Sequence, residues 1–354
     1  MGRGDRSERH LQVAVTRPGG PVAAAISRAL TARGAISGAG TVTVHAITDH
    51  LASPTLGEQL DGIHHVVHVV SPTMLDHDLA EAADARRDRL VREVRTLVLA
   101  CAATRVHSLV VVTGAQVYGA RPTNPVPLPK DSPLQAEIGP GLIGDLVAVE
   151  QAVADARPLY PALDITVVRP AAIVGDGVDT TFTRHFAAPR LLRLGDSDPA
   201  WQFVHVEDLA TAVCRILDHR LGPVVTVGAP GWLRQAKVEQ LTGMSSVQMG
   251  VSTAHTVVSR LQRFGRLKAP VTDLDYIAHP WVVSADELHA AGWQPAYDNE
   301  MCLQVLLHDV RERTAASVLR IDAKEGAAAL GAASAALAVG ATAAIMRRRR
   351  GRRG

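Results

Sequence analysis

Leu11-Gln12-Val13-Ala14-Val15-Thr16-Arg17-Pro18-Gly19-Gly20-Pro21-Val22 is the stretch of sequence from which the fold can be predicted. Its apolar first half has the length and composition of a strand, and the Gly and Pro residues that follow indicate a tight turn. The residues from Val22 to Arg33 have helical composition and spacing. The segment therefore predicts a strand, a glycine-rich turn and a helix.

Strand-like and helix-like segments alternate from there to Arg169. The strand-like segments are rich in Val and nearly continuous in apolar character, which is typical of strands buried on both faces of a parallel sheet. Predicted strands cover 41–48, 61–70, 109–113 and 165–169, and predicted helices cover 80–104 and 144–156. The pattern loosens from Ala171 onward. We therefore predict an α/β fold, with a Rossmann-like doubly wound parallel sheet and a smaller C-terminal substrate-type lobe.

The bulk composition narrows the classes of function. A net charge of +2 in 354 residues, with much of the excess in the C-terminal tail, argues against a nucleic-acid partner. The three cysteines, Cys101, Cys214 and Cys302, are widely spaced, which fits thiols in a reducing compartment and predicts a cytoplasmic location. No paired metal-ligand spacing of His and Cys is present, so we predict no metal site.

Two segments in the middle of the chain carry a family resemblance. Val110–Gly119 reads as a strand followed by a loop that ends in Val-Tyr-Gly, and Leu142–Leu146 leads into a predicted helix. With the glycine-rich turn, they resemble the NAD-dependent epimerase/dehydratases of the extended short-chain dehydrogenase/reductase family. That family has strand-Ser-Ser-x-x-Val-Tyr-Gly at the first place and Tyr-x-x-x-Lys at the second. The resemblance extends from Leu11 to Arg313.

The catalytic positions that the resemblance implies carry no catalytic side chains here. In the family a tyrosinate is the general base, a lysine lowers its pKa and a serine or threonine hydroxyl polarises the substrate. These places fall on Leu142, Leu146 and Gly114. Thr113 is a weak substitute, because a shift of one residue along a strand turns a side chain to the opposite face. Tyr118 would serve only if its pKa were lowered from about 10.

The cofactor loop that the resemblance implies is also altered. The family pattern Thr-Gly-x-x-Gly-x-x-Gly places Thr16 first, Arg17 at the first glycine and Gly20 at the second, with Gly19 just before it. The resemblance implies NAD or NADP as cofactor and Asp49 as the residue that caps the adenine. Arg17 and the two prolines of the turn weaken the phosphate cradle. Arg17 either lies exposed to solvent on a degenerate turn or contacts a phosphate.

The resemblance implies roles for further residues near the cleft. Arg169 and Pro170 would shape its floor, Leu90 stands where an asparagine often supports the catalytic network, and Asp145 would face solvent. The family commonly dimerises through a four-helix contact. This implies a homodimer, or a heterodimer with a related protein, through the helices predicted at 80–104 and 144–156.

The two ends of the chain differ from its body. Residues 1–10 are polar and charged without an apolar run, which predicts a disordered N-terminus and no secretory signal. Residues 326–346 carry no formal charge and precede an arginine-rich end. Two interpretations stay open: a membrane segment within 314–354, with membrane contact through 326–354, or a flexible Ala/Gly-rich tail.

The sequence thus predicts a dinucleotide-binding-type domain over 11–170 and a second lobe over 171–313, interleaved with the sheet. Its function is predicted to be that of a catalytically inactive family member, a pseudoenzyme, with a binding, scaffold or regulatory role toward a small-molecule ligand. One alternative is an NAD(P)-dependent sugar-nucleotide epimerase/dehydratase or reductase with an altered active site. Another is a membrane-associated adaptor.

Overall fold

The computed structural model describes residues 10–36, 41–48, 51–263 and 271–321. Its strands are β1 Leu11–Thr16, β2 Val42–Ile47, β3 His65–Val69, β4 Ser108–Val112, β5 Asp164–Pro170, β6 Ala172–Val174, β7 Leu191–Leu194, β8 Ala200–Trp201, β9 Phe203–His205, β10 Val224–Val227, β11 Leu233–Arg234 and β12 Ser246–Met249. Its α-helices are α1 Pro21–Ile36, α2 Leu56–Gln59, α3 Leu75–Asp78, α4 Ala83–Ala103, α5 Leu142–Ala156, α6 Thr181–His185, α7 Val206–His219, α8 Gln235–Thr242, α9 Val251–Arg263, α10 Asp286–Ala290 and α11 Asn299–Ile321. Short 3₁₀ helices cover Ala115–Tyr118, Arg157–Leu159 and Val271–Ile277.

Six parallel strands form the central sheet, in the order β10-β5-β4-β3-β1-β2. All five residues of β4 are buried, because successive side chains point to opposite faces and both faces are covered. Val110 and Val112 join the core formed with α1 and α7, whereas Leu109 and Val111 join the core formed with α4 and α5. The predicted Rossmann-like doubly wound parallel sheet is confirmed.

The second lobe packs beside the carboxyl end of the sheet. It contains three two-stranded sheets, β6 with β9, β7 with β12 and β8 with β11. Its core is rich in aromatic residues and includes Phe182, Phe186, Trp201, Phe203 and Trp281. The chain returns from this lobe to the central sheet, since β10 pairs with β5 and α7 packs against α1. Residues distant in sequence therefore meet where β4 and β5 end.

No helix in the described ranges is long and apolar enough to cross a membrane. The uncharged stretch 326–346 lies outside these ranges, so the membrane-segment interpretation of that stretch stays a prediction.

Candidate ligand-binding site

A pocket lies at the carboxyl ends of the central strands, where ligands commonly bind in open α/β sheets. Its walls include Ser71 after β3, Thr113 after β4 and Pro170 at the end of β5. The second lobe closes it with Thr180 and Phe182. The pocket has a cavity volume of about 40 Å³.

The three positions that the sequence aligns with the family's serine, tyrosine and lysine meet in this pocket. Gly114, Leu142 and Leu146 all line it. Leu142 and Leu146 stand four residues apart on α5 and therefore share one face of the helix. A Cβ built on Gly114 would lie 3.3 Å from Leu146 Cδ1. The structure thus brings the three residues together in one wall that offers no hydroxyl, phenol or ammonium group.

Gln116 fills the space that a side chain at position 114 would take. A Cβ on Gly114 would collide with Gln116 Oε1. Gln116 lines the pocket, and its amide oxygen is buried and has no hydrogen-bond partner among the described residues. Sequence reasoning missed Gln116, because no motif distinguishes a glutamine in this loop.

Thr113 is one of the residues at the pocket wall, and its hydroxyl is used by groups outside the pocket. It lies one residue beyond the end of β4, so strand alternation does not fix its direction. Its hydroxyl donates a hydrogen bond to Glu150 Oε1 at 2.6 Å. Glu150 Oε2 in turn accepts a hydrogen bond from Arg169 Nη2 at 2.6 Å. Because Glu150 and Arg169 are both buried, the Thr113 hydroxyl belongs to an internal network beneath the pocket.

Arg169 also contacts Tyr118. The guanidinium carbon of Arg169 lies 4.6 Å from the centre of the Tyr118 ring. The Tyr118 hydroxyl donates to the carbonyl oxygen of Lys130 at 2.7 Å. Burial raises the pKa of Tyr118, although the nearby Arg169 acts in the opposite direction. Tyr118 is therefore held as a neutral phenol.

Other described phenols and amines lie away from the pocket walls. The Tyr276 hydroxyl donates to the main-chain oxygen of Gln116 at 2.8 Å, and burial raises the pKa of Tyr276. Lys130 and Lys237 form surface ion pairs with other side chains. The remaining two of the chain's four lysines lie outside the described residues. No tyrosine or lysine of the described ranges lines the pocket.

The glycine-rich turn after β1 is partly covered. Arg17 has a φ of 53°, in the left-handed region that favours glycine, and its guanidinium lies 3.6 Å from Glu93 Oε2 on α4. The side chain of Arg17 is 32% exposed, so it is half-buried beside Glu93 and keeps part of its surface open to solvent. Burial lowers the pKa of Arg17, and Glu93 opposes this shift. The attraction to a buried carboxylate explains the inward direction of this side chain.

The other residues predicted at the cofactor loop have distinct surroundings. Thr16 is buried and its hydroxyl lies 2.9 Å from His68 Nδ1. A Cβ on Gly19 would meet nothing within 4 Å, and one on Gly20 would approach only the Arg17 carbonyl oxygen. Asp49 lies outside the described residues. Backbone at the two glycines is thus open to a ligand, whereas Thr16 supports the loop from below.

Asp145 is buried, and the expectation that it faces solvent is wrong. Arg86 Nε on α4 lies 2.5 Å from Asp145 Oδ2, and Arg87 Nε lies 3.4 Å from Asp145 Oδ1. The loop at Gly139 covers this end of α5. It can approach the helix because Gly144 has no side chain, since a Cβ on Gly144 would collide with the Gly139 backbone. Burial raises the pKa of Asp145, and Arg86 opposes that shift.

Asp273 is a pocket residue that sequence reasoning missed. It comes from the 3₁₀ helix Val271–Ile277 of the second lobe, about 160 residues along the chain from Gly114. Its Oδ1 atom is buried and has no hydrogen-bond partner among the described residues. Burial raises the pKa of Asp273 to about 7. No local pattern marks this aspartate, since only the packing of the lobe brings it to the pocket.

The raised pKa of Asp273 predicts a pH-dependent stability. Its folded-state pKa of about 7 lies above the ordinary value of 3.8, so the folded protein binds the proton more tightly than the unfolded chain. The stabilisation of the folded state by this proton is fully present below pH 3.8 and is lost as the pH rises toward 7. We expect Asp273→Asn to raise the melting temperature more at pH 7.5 than at pH 5. An equal change at both pH values would contradict the raised pKa.

The parallel sheet, the glycine turn after its first strand and the pocket at its carboxyl edge define an α/β protein of the dinucleotide-binding type. The chain belongs to the NAD dependent epimerase/dehydratase family, whose family model matches residues 10–228.

Curated relatives cover a smaller part of the chain. The uncharacterized protein Rv0501 of Mycobacterium tuberculosis (H37Rv) is 26% identical over 141 residues, which are 40% of this chain and 38% of the relative. The chain therefore matches well under half of the length of that relative.

Solved structures share the fold over most of the chain. A UDP-glucuronic acid 4-epimerase from Bacillus cereus, in complex with UDP-glucuronic acid and NAD, has a TM-score of 0.62 and 13% identity, with 86% of this chain and 100% of that chain covered. A UDP-glucose 4-epimerase of Thermus thermophilus, in complex with NAD, also has a TM-score of 0.62, with 17% identity and coverages of 85% and 99%. At these identities the similarity shows the fold alone.

Proposed function

We propose that this protein is a non-catalytic family member that binds a small molecule in the pocket at the carboxyl edge of its sheet. The observation that carries the proposal is the convergence of Gly114, Leu142 and Leu146 on one pocket wall. Proton transfer requires an ionisable group within hydrogen-bond reach of the reacting atom. A glycine and two leucines supply none, and they leave a largely apolar wall for a ligand.

The buried network beneath the pocket supports a structural role for the remaining polar groups. Thr113 and Arg169 both donate hydrogen bonds to Glu150, and the Tyr118 hydroxyl donates to a main-chain carbonyl. A general base must have an accessible lone pair at the working pH. These groups are committed to internal partners, so they hold the shape of the pocket.

The loop after β1 is a poor match to the pyrophosphate of NAD or NADP. Gly19 and Gly20 leave the backbone open, but Pro18 and Pro21 have no amide hydrogen to donate. The guanidinium of Arg17 is engaged by Glu93. The residues present therefore do not fit the cofactor as a glycine loop does, and no step of the proposed function depends on it.

Calorimetry tests this part of the proposal. We expect the full-length protein to bind NAD(H) and NADP(H) with a Kd above about 1 mM, which corresponds to roughly 4 kcal/mol of binding free energy. Arg17→Gly should strengthen binding, because it removes the side chain that meets Glu93 and restores a glycine at a φ of 53°. Micromolar binding by the unchanged protein would contradict this interpretation of the loop.

Turnover assays test the absence of catalysis. We expect no epimerised, dehydrated or reduced product from UDP-glucose or UDP-glucuronic acid with either dinucleotide, as followed by NMR. The triple variant Gly114→Ser, Leu142→Tyr and Leu146→Lys should remain inactive, because the altered cofactor loop persists in it. Product formed by the unchanged protein would refute the proposal, and recovered activity in the triple variant would refute its account of the loop.

One observation favours a second candidate, an NAD(P)-dependent sugar-nucleotide epimerase/dehydratase or reductase with an altered active site. Asp273 lines the pocket with an unpartnered oxygen, and burial raises the pKa of its carboxyl to about 7. A group with this pKa is suited to act as a general base near neutral pH. If the unchanged protein shows turnover, this candidate requires Asp273→Asn to abolish it while Asp275→Asn retains it.

The face formed by α4 and α5 supports a proposal for self-association. These helices pack against each other, and Leu99 on α4 is 55% exposed while Leu159, just after α5, is 71% exposed. We propose a dimer through this face, with a second copy or a related protein. Light scattering should give the mass of a dimer for the unchanged protein and of a monomer for Leu99→Glu. A monomer in both cases would remove the proposal for self-association.

The cytoplasmic location and the membrane-associated adaptor remain predictions that this site does not address. Deletion of 326–354 followed by cell fractionation separates them, because only an anchor in that segment would shift the protein between fractions.

A further inference from the structure

Two residues that line the pocket each have a buried oxygen atom with no partner within the described residues. The atoms are Gln116 Oε1, beside Gly114, and Asp273 Oδ1, from the second lobe. Both atoms accept hydrogen bonds, and neither has a described group that donates to it. A buried acceptor without a donor is costly, so native proteins usually supply one from water or from a ligand.

The hydroxyls of three other pocket residues are held by neighbouring groups. The Ser71 hydroxyl donates to the main-chain oxygens of Val112 and Thr113. The Thr113 hydroxyl donates to Glu150. The Thr180 hydroxyl accepts from the main-chain nitrogen of Thr183 at the start of α6. None of these three hydroxyls donates to Gln116 Oε1 or Asp273 Oδ1, so both acceptors are left to water or to a ligand.

The volume of the pocket limits what can satisfy them. About 10–15 Å³ of such space holds one water molecule. The cavity of about 40 Å³ therefore has room for about three groups of that size. Leu142, Leu146 and Ile173 make part of its lining apolar. A ligand that fits combines a short hydrocarbon body with one or two hydrogen-bond donors.

We propose that the pocket binds a small hydroxyl or ammonium compound, or such a group at the end of a larger molecule, through Gln116 Oε1 and Asp273 Oδ1. The proposal rests on the proposed function and names the ligand class of the same site. The shared chemistry is an N–H or O–H donor on a two- to three-carbon body. A carboxylate of equal size is disfavoured above the Asp273 pKa of about 7, because its negative charge would repel the ionised Asp273 carboxylate.

Three fluorinated compounds of nearly equal size test this specificity by ¹⁹F NMR of the full-length protein. They are 2-fluoroethanol, 2-fluoroethylammonium and fluoroacetate, and line broadening at pH 8, above the Asp273 pKa of about 7, reports binding. We expect broadening of the alcohol, the ammonium or both, and at least a tenfold weaker effect for fluoroacetate. Whichever of the alcohol and the ammonium compound shows the stronger line broadening identifies the natural donor as a neutral hydroxyl or a cation.

Matched variants locate the binding. Gln116→Leu and Asp273→Leu each remove one acceptor and should weaken binding of the donor compounds about tenfold. Asp275→Asn alters a carboxyl on the same 3₁₀ helix that does not line the pocket, and it should leave binding unchanged. Circular dichroism confirms that each variant is folded, and a second pair that also removes the acceptor, Gln116→Met and Asp273→Ala, replaces any leucine variant that is not folded.

The outcomes separate this inference from the proposed function. Equal binding of fluoroacetate, no binding of either donor, or unchanged binding in both acceptor variants would overturn the inference while leaving the non-catalytic proposal in place. Donor binding together with turnover of UDP-sugars would keep the inference and overturn the non-catalytic proposal.

Discussion

Glu150→Ala is expected to lower the free energy of unfolding by about 3–5 kcal/mol, because it leaves a buried arginine without its counter-charge. Glu150 and Arg169 are only 3% and 8% exposed at their side chains, and Arg169 Nε and Nη2 lie 3.0 Å and 2.6 Å from Glu150 Oε2. Thr113 would lose its acceptor in the same step. Urea denaturation followed by circular dichroism measures the change.

An exposed acidic residue on the same helix provides the control. Asp155→Ala removes a carboxylate from the exposed side of α5 and should change stability by no more than about 0.5 kcal/mol. The double variant Glu150→Leu and Arg169→Met removes both charges and should recover much of the loss, since no unpaired charge remains. A loss below about 1 kcal/mol in Glu150→Ala would show that this pair is not buried as described.

Gly144→Ala is expected to be strongly destabilising although alanine is the better helix former. Its Cβ would collide with the main chain of Gly139, which cannot move as the end of a side chain can. Overpacking of this kind costs about 1–3 kcal/mol. Displacement of the loop would also disturb the buried contact between Arg86 and Asp145, which adds to the loss. Thermal denaturation of the purified variant measures the effect.

Gly57 is a matched control for this substitution. It lies in the short helix α2, and a Cβ there would meet nothing within 4 Å. Gly57→Ala should therefore be neutral or stabilising by up to about 1 kcal/mol, the difference in helix propensity. Similar losses of stability in Gly57→Ala and Gly144→Ala would argue that helix geometry, and not the loop at Gly139, causes the destabilisation.

Much of the fold could be predicted because its signals are local. The nearly continuous apolar character of 61–70 and 109–113 indicates strands covered on both faces, and β3 and β4 are such strands. The glycine-rich turn likewise marks the start of α1 at Pro21. Boundaries differ by a few residues, as for α4, which begins at Ala83 instead of Ala80.

The candidate site could be predicted only where a motif fixes residue positions along the chain. Gly114, Leu142 and Leu146 were identified in this way, and they do share one pocket. The burial of Asp145 was missed because it depends on Arg86 from another helix. The inward direction of Arg17 depends in the same way on Glu93. Contacts of this kind join residues that are 59 and 76 positions apart, beyond the reach of a local pattern.

By itself, the sequence determined the parallel α/β fold and the family, because apolar runs, turns and motif spacing are properties of neighbouring residues. Only the tertiary structure decided what the pocket offers to a ligand. Gln116 folds back over Gly114, and Asp273 comes from the second lobe, so two residues with unpartnered oxygens line one cavity. Burial and the loss of partners are set by the packing of distant segments, which is why no local pattern reveals them.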